Sequence, residues 1–81
     1  MKYEMFSRVA LKTHLPRHGL RRGDVATIVD YHRGRPDQEP GYSLEVFNAL
    51  GETIAVIAVR ESQVEPLNER EVLCARVLQA A

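Results

Sequence analysis

The stretch HGLRRGDVATIVDY, residues 18–31, places a glycine and an aspartate directly before a run of β-forming residues. Gly23 and Asp24 are typical of a turn. The Val, Thr, Ile and Tyr residues that follow favour a pleated, half-buried strand. We therefore predict a turn that leads into the second strand of a small barrel. Since side chains alternate along a strand, Ile28 and Val29 cannot both face one interior, so one of them must lie outside or follow a bulge.

Four more segments have the composition of strands. The five predicted strands cover residues 5–12, 25–31, 42–50, 53–59 and 62–67. The connection 33–41 contains two prolines and two glycines, which indicates a loop, and Gly51 is expected at the tip of a hairpin. The side chains expected to fill the barrel are those of Val9, Leu11, Val25, Ile28, Leu44, Val46, Ile54 and Val56.

The pattern changes after residue 67. Residues 68–81 contain no glycine or proline, and Asn68 followed by Glu71 resembles a capping box. At helical spacing one face carries Leu73, Cys74, Val77, Leu78 and Ala81. The sequence predicts a mainly β protein: a small five-stranded barrel over residues 1–67, with a C-terminal amphipathic α-helix over residues 68–81.

The predicted fourth strand, TIAVIAV, is apolar on both faces. One face can fill the barrel, and the other needs a cover. Ile57 and Val59 are expected on this outer face, where the C-terminal helix would pack. The helix belongs either to the same chain or to a second copy, because small domains often gain stability by oligomerising.

Composition limits the classes of function. The 81 residues fit one domain, with 44% hydrophobic and 27% charged residues, and the formal net charge is zero. A dedicated nucleic-acid-binding domain is usually basic, which argues against that role. The single cysteine, Cys74, excludes an intramolecular disulfide. The chain has neither a signal-peptide pattern nor an apolar run of membrane-spanning length, so we expect a cytoplasmic protein with no membrane partner.

Three segments carry a resemblance to a known family: VALKTHLPRHGLRRGDVATIVD, YSLEVFNALGETIAVIAV and SQVEPL. They resemble domain of unknown function 4926, whose members are small bacterial proteins expected to fold as SH3-like barrels. The resemblance covers residues 5–67 and is strongest in the Leu-Pro-x-His-Gly-Leu loop, the Gly-Asp-Val-x-Thr-Ile-Val strand and the Gly-x-Thr-Ile-Ala hairpin. The chain departs from the family at Ala26, where glycine is expected, and at Arg17, where an acidic residue is expected. The resemblance implies no activity. A more distant likeness, to KOW modules of transcription and ribosome factors, extends little beyond the barrel.

Metal and catalytic sites are not expected. His14 and His18 have a helical spacing, but Pro16 and Gly19 disfavour a helix there, and His32 lies at the far end of the second strand. The predicted strand order brings no histidine close to a serine or to Cys74, so no nucleophile has a base beside it. No glycine-rich phosphate loop is present. The sequence predicts a protein that is not an enzyme and has no cofactor.

Charge is unevenly distributed along the chain. Residues 5–23 contain no acidic residue but five basic ones: Arg8, Lys12, Arg17, Arg21 and Arg22. Residues 37–71 carry most of the acids. Two interpretations fit this uneven charge. The basic segment is a solvated loop with no single role, or it is a basic loop that faces an acidic partner or a phosphate backbone. Arg33 and Arg35, flanked by Tyr31 and Tyr42, form a second basic group, better suited to RNA because aromatic rings can stack on bases.

Our leading hypothesis is a non-enzymatic binding module whose partner is another, unidentified protein or, through the C-terminal helix, a second copy in a homodimer. The alternative is a KOW-like barrel that binds RNA or DNA. The candidate partner-binding residues are Arg17, Arg21, Arg22, Arg33, Arg35, Ile57 and Val59.

Overall fold

The computed structural model describes residues 1–78 and confirms a mainly β protein. Five antiparallel strands form one sheet in the order β4-β3-β2-β1-β5. Two 3-10 turns, Pro16–His18 and Glu61–Gln63, connect them. The strands are β1 (Arg8–Leu11), β2 (Val25–His32), β3 (Gly41–Phe47), β4 (Thr53–Arg60) and β5 (Val64–Pro66). Each lies within a residue of the predicted segment or inside it. None of the helices among these residues is long and apolar enough to cross a membrane.

The stretch at residues 18–31 folds as a turn followed by β2, as predicted. The Asp24 amide donates to the Arg21 carbonyl at 3.0 Å, which closes a four-residue turn. Gly23, at the third position, has φ +92°, a conformation that type II turns require there and that glycine adopts without strain. The amide of Gly23 also donates to the carbonyl of Leu11 at 2.8 Å. The turn is thereby fixed to the end of β1, and β2 begins at Val25 beside it.

The conflict between Ile28 and Val29 is resolved by a bulge. Ile28 lies opposite Leu44, but the next paired residue, Asp30, lies opposite Ser43. Val29 is thus the extra residue in β2. Ile28 is completely buried and Val29 is half-buried.

The core occupies one face of the sheet, and most of its predicted members are confirmed. Its large members are Val9, Leu11, Leu20, Ile28, Tyr42, Leu44, Val46, Ile57, Val59 and Val64. Val25 is only half-buried. The prediction was wrong for Ile54 and Val56, which are 41% and 63% exposed.

The orientation of β4 explains these errors. Leu44 lies opposite Ile57, and Tyr42 opposite Val59. Residues opposite each other in an antiparallel ladder project to the same face. Ile57 and Val59 therefore point into the core, and their predicted position on the outer face was wrong. A second bulge, at Ile54, lies near the start of β4, since Val46 pairs with Ala55 but Phe47 pairs with Thr53.

The predicted C-terminal helix is not supported, because residues 68–78 contain no α-helix. Residues 79–81, the rest of that prediction, lie outside the described residues. Half of the capping box does form, since the Asn68 amide donates to Glu71 Oε1 at 2.7 Å. One turn forms there and does not propagate. A helix of this length is marginal in water, and contacts with the sheet take its place. We call residues 68–78 the C-terminal strap.

Candidate functional site

A groove of about 470 Å³ lies at the β3–β4 hairpin end of the sheet. One wall is the end of the β1–β2 loop with the start of β2, and the other is the hairpin. The C-terminal strap runs along its third side. The sheet residues that line it are Leu20, Gly23, Asp24, Val25, Val46, Phe47, Asn48, Ala49 and Ile54. Leu20 and Val46 are buried, whereas Phe47 and Ile54 are about two-fifths exposed. The groove therefore presents apolar surface around a single carboxylate.

The hairpin wall is held rigidly by Asn48. Its side-chain Oδ1 accepts from the backbone amides of Leu50 and Glu52 at 2.9 and 3.0 Å. The backbone amide of Asn48 donates to the Glu52 carbonyl at 2.9 Å. Gly51 lies at the tip with φ +82°, as predicted. These bonds fix the wall that carries Phe47 and Ile54 without help from a ligand.

Asp24 is the polar centre of the groove. Its Oδ2 accepts from the Arg21 amide at 2.7 Å, a bond made within the turn itself. Arg76 of the strap donates from Nε to Oδ1 at 3.0 Å and from Nη2 to Oδ2, and Nη2 also donates to the Gly19 carbonyl at 3.2 Å. This is the fork-shaped geometry with which arginine recognises a carboxylate.

The protonation of Asp24 reflects these contacts. Partial burial raises the pKa of this carboxyl, but the hydrogen bonds from Arg76 and from the Arg21 amide outweigh burial. The net result is a lowered pKa, so Asp24 is charged at neutral pH. The pKa of Arg76 is raised, mainly by its hydrogen bond to Asp24.

The strap contributes apolar residues on both sides of Arg76. Leu73 and Leu78 line the groove and are 52% and 43% exposed, while Val72 and Val77 point into solvent. Cys74 and Ala75 line the groove as well, and the two leucines and Arg76 follow the spacing Leu-x-x-Arg-x-Leu. The strap covers the groove only in part.

The predicted basic residues fall into two separate groups. Arg17 lies in the first 3-10 turn, and Arg21 and Arg22 lie in the turn before β2; all three are exposed. Arg33 and Arg35 are exposed in the loop after β2. The eight residues of β2 separate the groups by roughly 25 Å at about 3.3 Å per residue. The structure does not bring the five arginines together.

The predicted aromatic platform beside Arg33 and Arg35 is also incomplete. Tyr42 is completely buried, between Tyr3 and Tyr31, at ring-centroid distances of 5.8 and 5.6 Å. Its hydroxyl donates to Glu61 Oε2 at 2.5 Å and accepts from the Tyr3 amide at 3.3 Å. Burial and the bond to Glu61 raise the pKa of Tyr42. Its ring is therefore part of the core and cannot stack on a base.

One histidine pairing escaped the sequence analysis. The β2–β3 register brings His32 beside Ser43, with Nε2 and Oγ 2.6 Å apart, although no such neighbour was expected. The pair lies exposed on the sheet surface. His14 Nδ1 accepts from the Arg22 amide at 3.2 Å, so it supports the turn before β2. Within residues 1–78 no three His, Cys, Asp or Glu side chains are grouped as metal ligands would be.

Sequence reasoning missed both charged residues of the groove. The sequence predicts only a turn at Asp24 and assigns no role to Arg76. The good helix formers around Arg76 favour a helix, and no local pattern indicates the contact with Asp24.

Comparison with known proteins identifies the family. The family described as "Domain of unknown function (DUF4926)" matches residues 5–66, which include all five strands. The chain belongs to this family. No curated protein and no solved structure matches it significantly.

Proposed function

We propose that this member of the DUF4926 family is a non-enzymatic protein-binding module that takes an extended, arginine-containing segment of a partner protein in the groove beside Asp24. The observation that carries the proposal is the strap. The chain's own segment already lies at this groove with two leucines toward it and an arginine forked onto Asp24. A segment of a partner with the same spacing would make the same contacts.

The chemistry of the groove favours such a ligand. Asp24 is held in place by the Arg21 amide before any partner arrives, so little order has to be created on binding. Phe47 and Ile54 offer apolar surface that the strap leaves partly exposed. Exposed Arg21 and Arg22 lie at the rim, and they favour a partner with acidic residues flanking its arginine.

The strap would then act as an internal competitor. A partner must displace it, and the ion pair to Asp24 is the contact that both would use. Arg76 is a surface arginine, and ion pairs of this kind are weak. A partner that buries more apolar surface than Leu73 and Leu78 do can therefore displace the strap.

Among mainly β folds we assign this one to the SH3-like barrels. The meander from β1 to β4, with β5 returning to pair with β1, supports this assignment. One core packs on the sheet, and loops join the ends of its strands. The groove lies at one such end, where loops commonly carry binding residues.

Nucleic-acid binding is the second hypothesis and receives less support. The two arginine groups lie at opposite ends of β2, and Tyr42 is buried. Neither group provides the interleaved basic and aromatic residues that single strands need. The net charge of zero also gives little counterion release on binding.

Peptide selection on the full chain tests the proposal. Random peptides displayed on phage are panned on the immobilised protein, and we expect enrichment of an apolar-x-x-Arg-x-apolar pattern. Selected peptides are then titrated by fluorescence anisotropy. Asp24→Asn should weaken binding by about tenfold or more, because a charge-assisted hydrogen-bond pair is lost. Arg76→Ala should strengthen it, because the competing strap is released.

The matched control is Asp37→Asn, which removes an exposed acid from the β2–β3 loop. It should leave peptide affinity unchanged. Peptides without arginine, or with equal affinity for Asp24→Asn, would refute the proposed site. Micromolar binding of a labelled oligonucleotide at physiological salt, lost with Arg33→Ala and Arg35→Ala together, would favour the second hypothesis.

A further inference from the structure

Strand β4 leaves one long edge of the sheet open. It stands last in the strand order, and among the described residues it forms a ladder only with β3. An edge strand presents unpaired N–H and C=O groups that can pair with a strand of another molecule. The opposite edge, β5, covers only Val64–Pro66 and ends in proline, so it offers a poor template.

The composition of β4 does nothing to discourage such pairing. Residues 53–59 read TIAVIAV, with no charge, glycine or proline. Natural edge strands are commonly protected by lysine, proline or a bulge. β4 has a bulge, but it lies at Ile54, near the start of the strand. Beyond it, Ala55–Arg60 continues as a regular strand with its edge free.

The outward face of this regular part is apolar. Val56 is 63% exposed and Ala58 is also exposed, while the alternating residues Ile57 and Val59 are buried. A partner strand at this edge would therefore extend the core face on one side. On the other side it would cover Val56.

The charges at the ends of β4 are complementary to each other. Glu52 and Arg60, both exposed, each lie four residues from Val56 in opposite directions. A two-fold axis through Val56 in an antiparallel pair places Glu52 of each copy opposite Arg60 of the other. Glu52 Oε1 accepts from Asn48 at 2.8 Å, which leaves Oε2 for the pair. Opposite charges across a strand pair stabilise it, and both side chains are long enough to absorb the offset from the bulge.

We propose that β4 pairs antiparallel with β4 of a second copy, centred on Val56, so that one continuous sheet runs through a symmetric dimer. A shift of one residue would place exposed side chains on the core face. A shift of two would move Arg60 opposite Ile54 and leave Glu52 without its partner. Charge and face together select the register centred on Val56. This dimer does not use the C-terminal strap, and it shares only Ile54, in the bulge of β4, with the lining of the groove.

Sedimentation velocity over a range of concentrations tests the interface. We expect the wild-type chain to change from monomer to dimer as concentration rises. Val56→Lys should remain monomeric, because it places two lysines against each other at the two-fold axis. The matched control, Val72→Lys, introduces the same charge at a side chain that is 92% exposed outside the sheet, and it should dimerise as the wild type does.

Charge reversal tests the register. Glu52→Arg alone and Arg60→Glu alone should each raise the dimer dissociation constant about tenfold, because like charges then face each other in two places. The double variant E52R/R60E should restore the wild-type constant, and circular dichroism confirms that each variant is folded. A wild-type chain that is monomeric at every concentration overturns the proposal. So does a dimer that survives Val56→Lys or is not restored by the double reversal.

Discussion

Arg76 donates hydrogen bonds to both carboxylate oxygens of Asp24, a residue 52 positions earlier in the chain. This pair joins the C-terminal strap to the turn that starts β2. Together with the contacts of Leu73 and Leu78, it holds the strap at the groove in place of the helix that the local sequence favours. Because Asp24 is held by its own turn, the pair orients the strap and not the reverse.

The contribution of Asp24 to stability should depend on pH. Its pKa is lowered in the folded protein: burial raises it, but the hydrogen bonds from Arg76 and the Arg21 amide more than compensate. A carboxyl with a lowered folded pKa stabilises the fold above its unfolded value of about 3.9 and loses this contribution as pH falls through the folded value. In urea unfolding, Asp24→Asn should therefore be less stable than the wild type at pH 7, and the difference should vanish near pH 2. A difference that is the same at both pH values would contradict this origin.

The orientation of β4 predicts opposite results for adjacent residues. Ile57→Ala should lower the free energy of unfolding by about 2–5 kcal/mol, because it removes a core side chain and leaves a cavity. Val56→Ala should change it by less than about 0.5 kcal/mol, because Val56 is mostly exposed. Urea unfolding at low protein concentration, where dimer formation is negligible, measures both. If Val56→Ala proved the costlier change, the register of β4 described above would be wrong.

Tyr42→Phe should destabilise the fold by about 1–3 kcal/mol, because the buried hydroxyl donates to Glu61 and accepts from the Tyr3 amide. Tyr31→Phe is the matched control, since Tyr31 is only half-buried and packs on the same ring. The phenol also has a raised pKa, through burial and the bond to Glu61. Stability should thus be lost as pH rises above about 10, where tyrosines in the unfolded chain ionise. Absorbance titration of the phenolates should show a late step that Tyr42→Phe removes.

The strand pattern could be predicted because it depends on local signals. Gly23 is needed for the positive φ of its turn, and Gly51 for the hairpin tip. The conflict between Ile28 and Val29 was visible in the sequence, and its resolution as a bulge was one of two stated outcomes. Which face of TIAVIAV is inside was not visible, because Ile, Val and Ala occur on both faces. The bulge at Ile54 shifts the register of β4 against β3, and the residues beyond it alternate with Ile57 and Val59 on the core face.

The groove could not be predicted, because it depends on a contact between distant residues. Asn68 and Glu71 form the local signal of a helix start, and the structure keeps part of that signal. The helix is less stable than the arrangement in which Arg76, Leu73 and Leu78 contact the turn and the hairpin. No periodicity within residues 68–81 reports the position of Asp24. The same limit applies to His32 and Ser43, which only the β2–β3 register brings together.

Removal of the strap should leave the sheet folded. Among residues 1–78 every buried side chain lies between Val9 and Val64, so a chain that ends at Leu67 keeps the whole described core. Ile57 and Val59, which were expected to need the C-terminal helix as a cover, are buried in the core of the sheet itself. We expect the truncated chain to unfold cooperatively and to keep its far-ultraviolet circular dichroism at 222 nm, since residues 68–78 contribute no α-helix. Arg76→Ala in the full chain is the control that releases the strap without removing it. A clear loss of helical signal on truncation would show that the strap forms a helix. Aggregation that Arg76→Ala does not share would show that the strap covers apolar surface of the sheet.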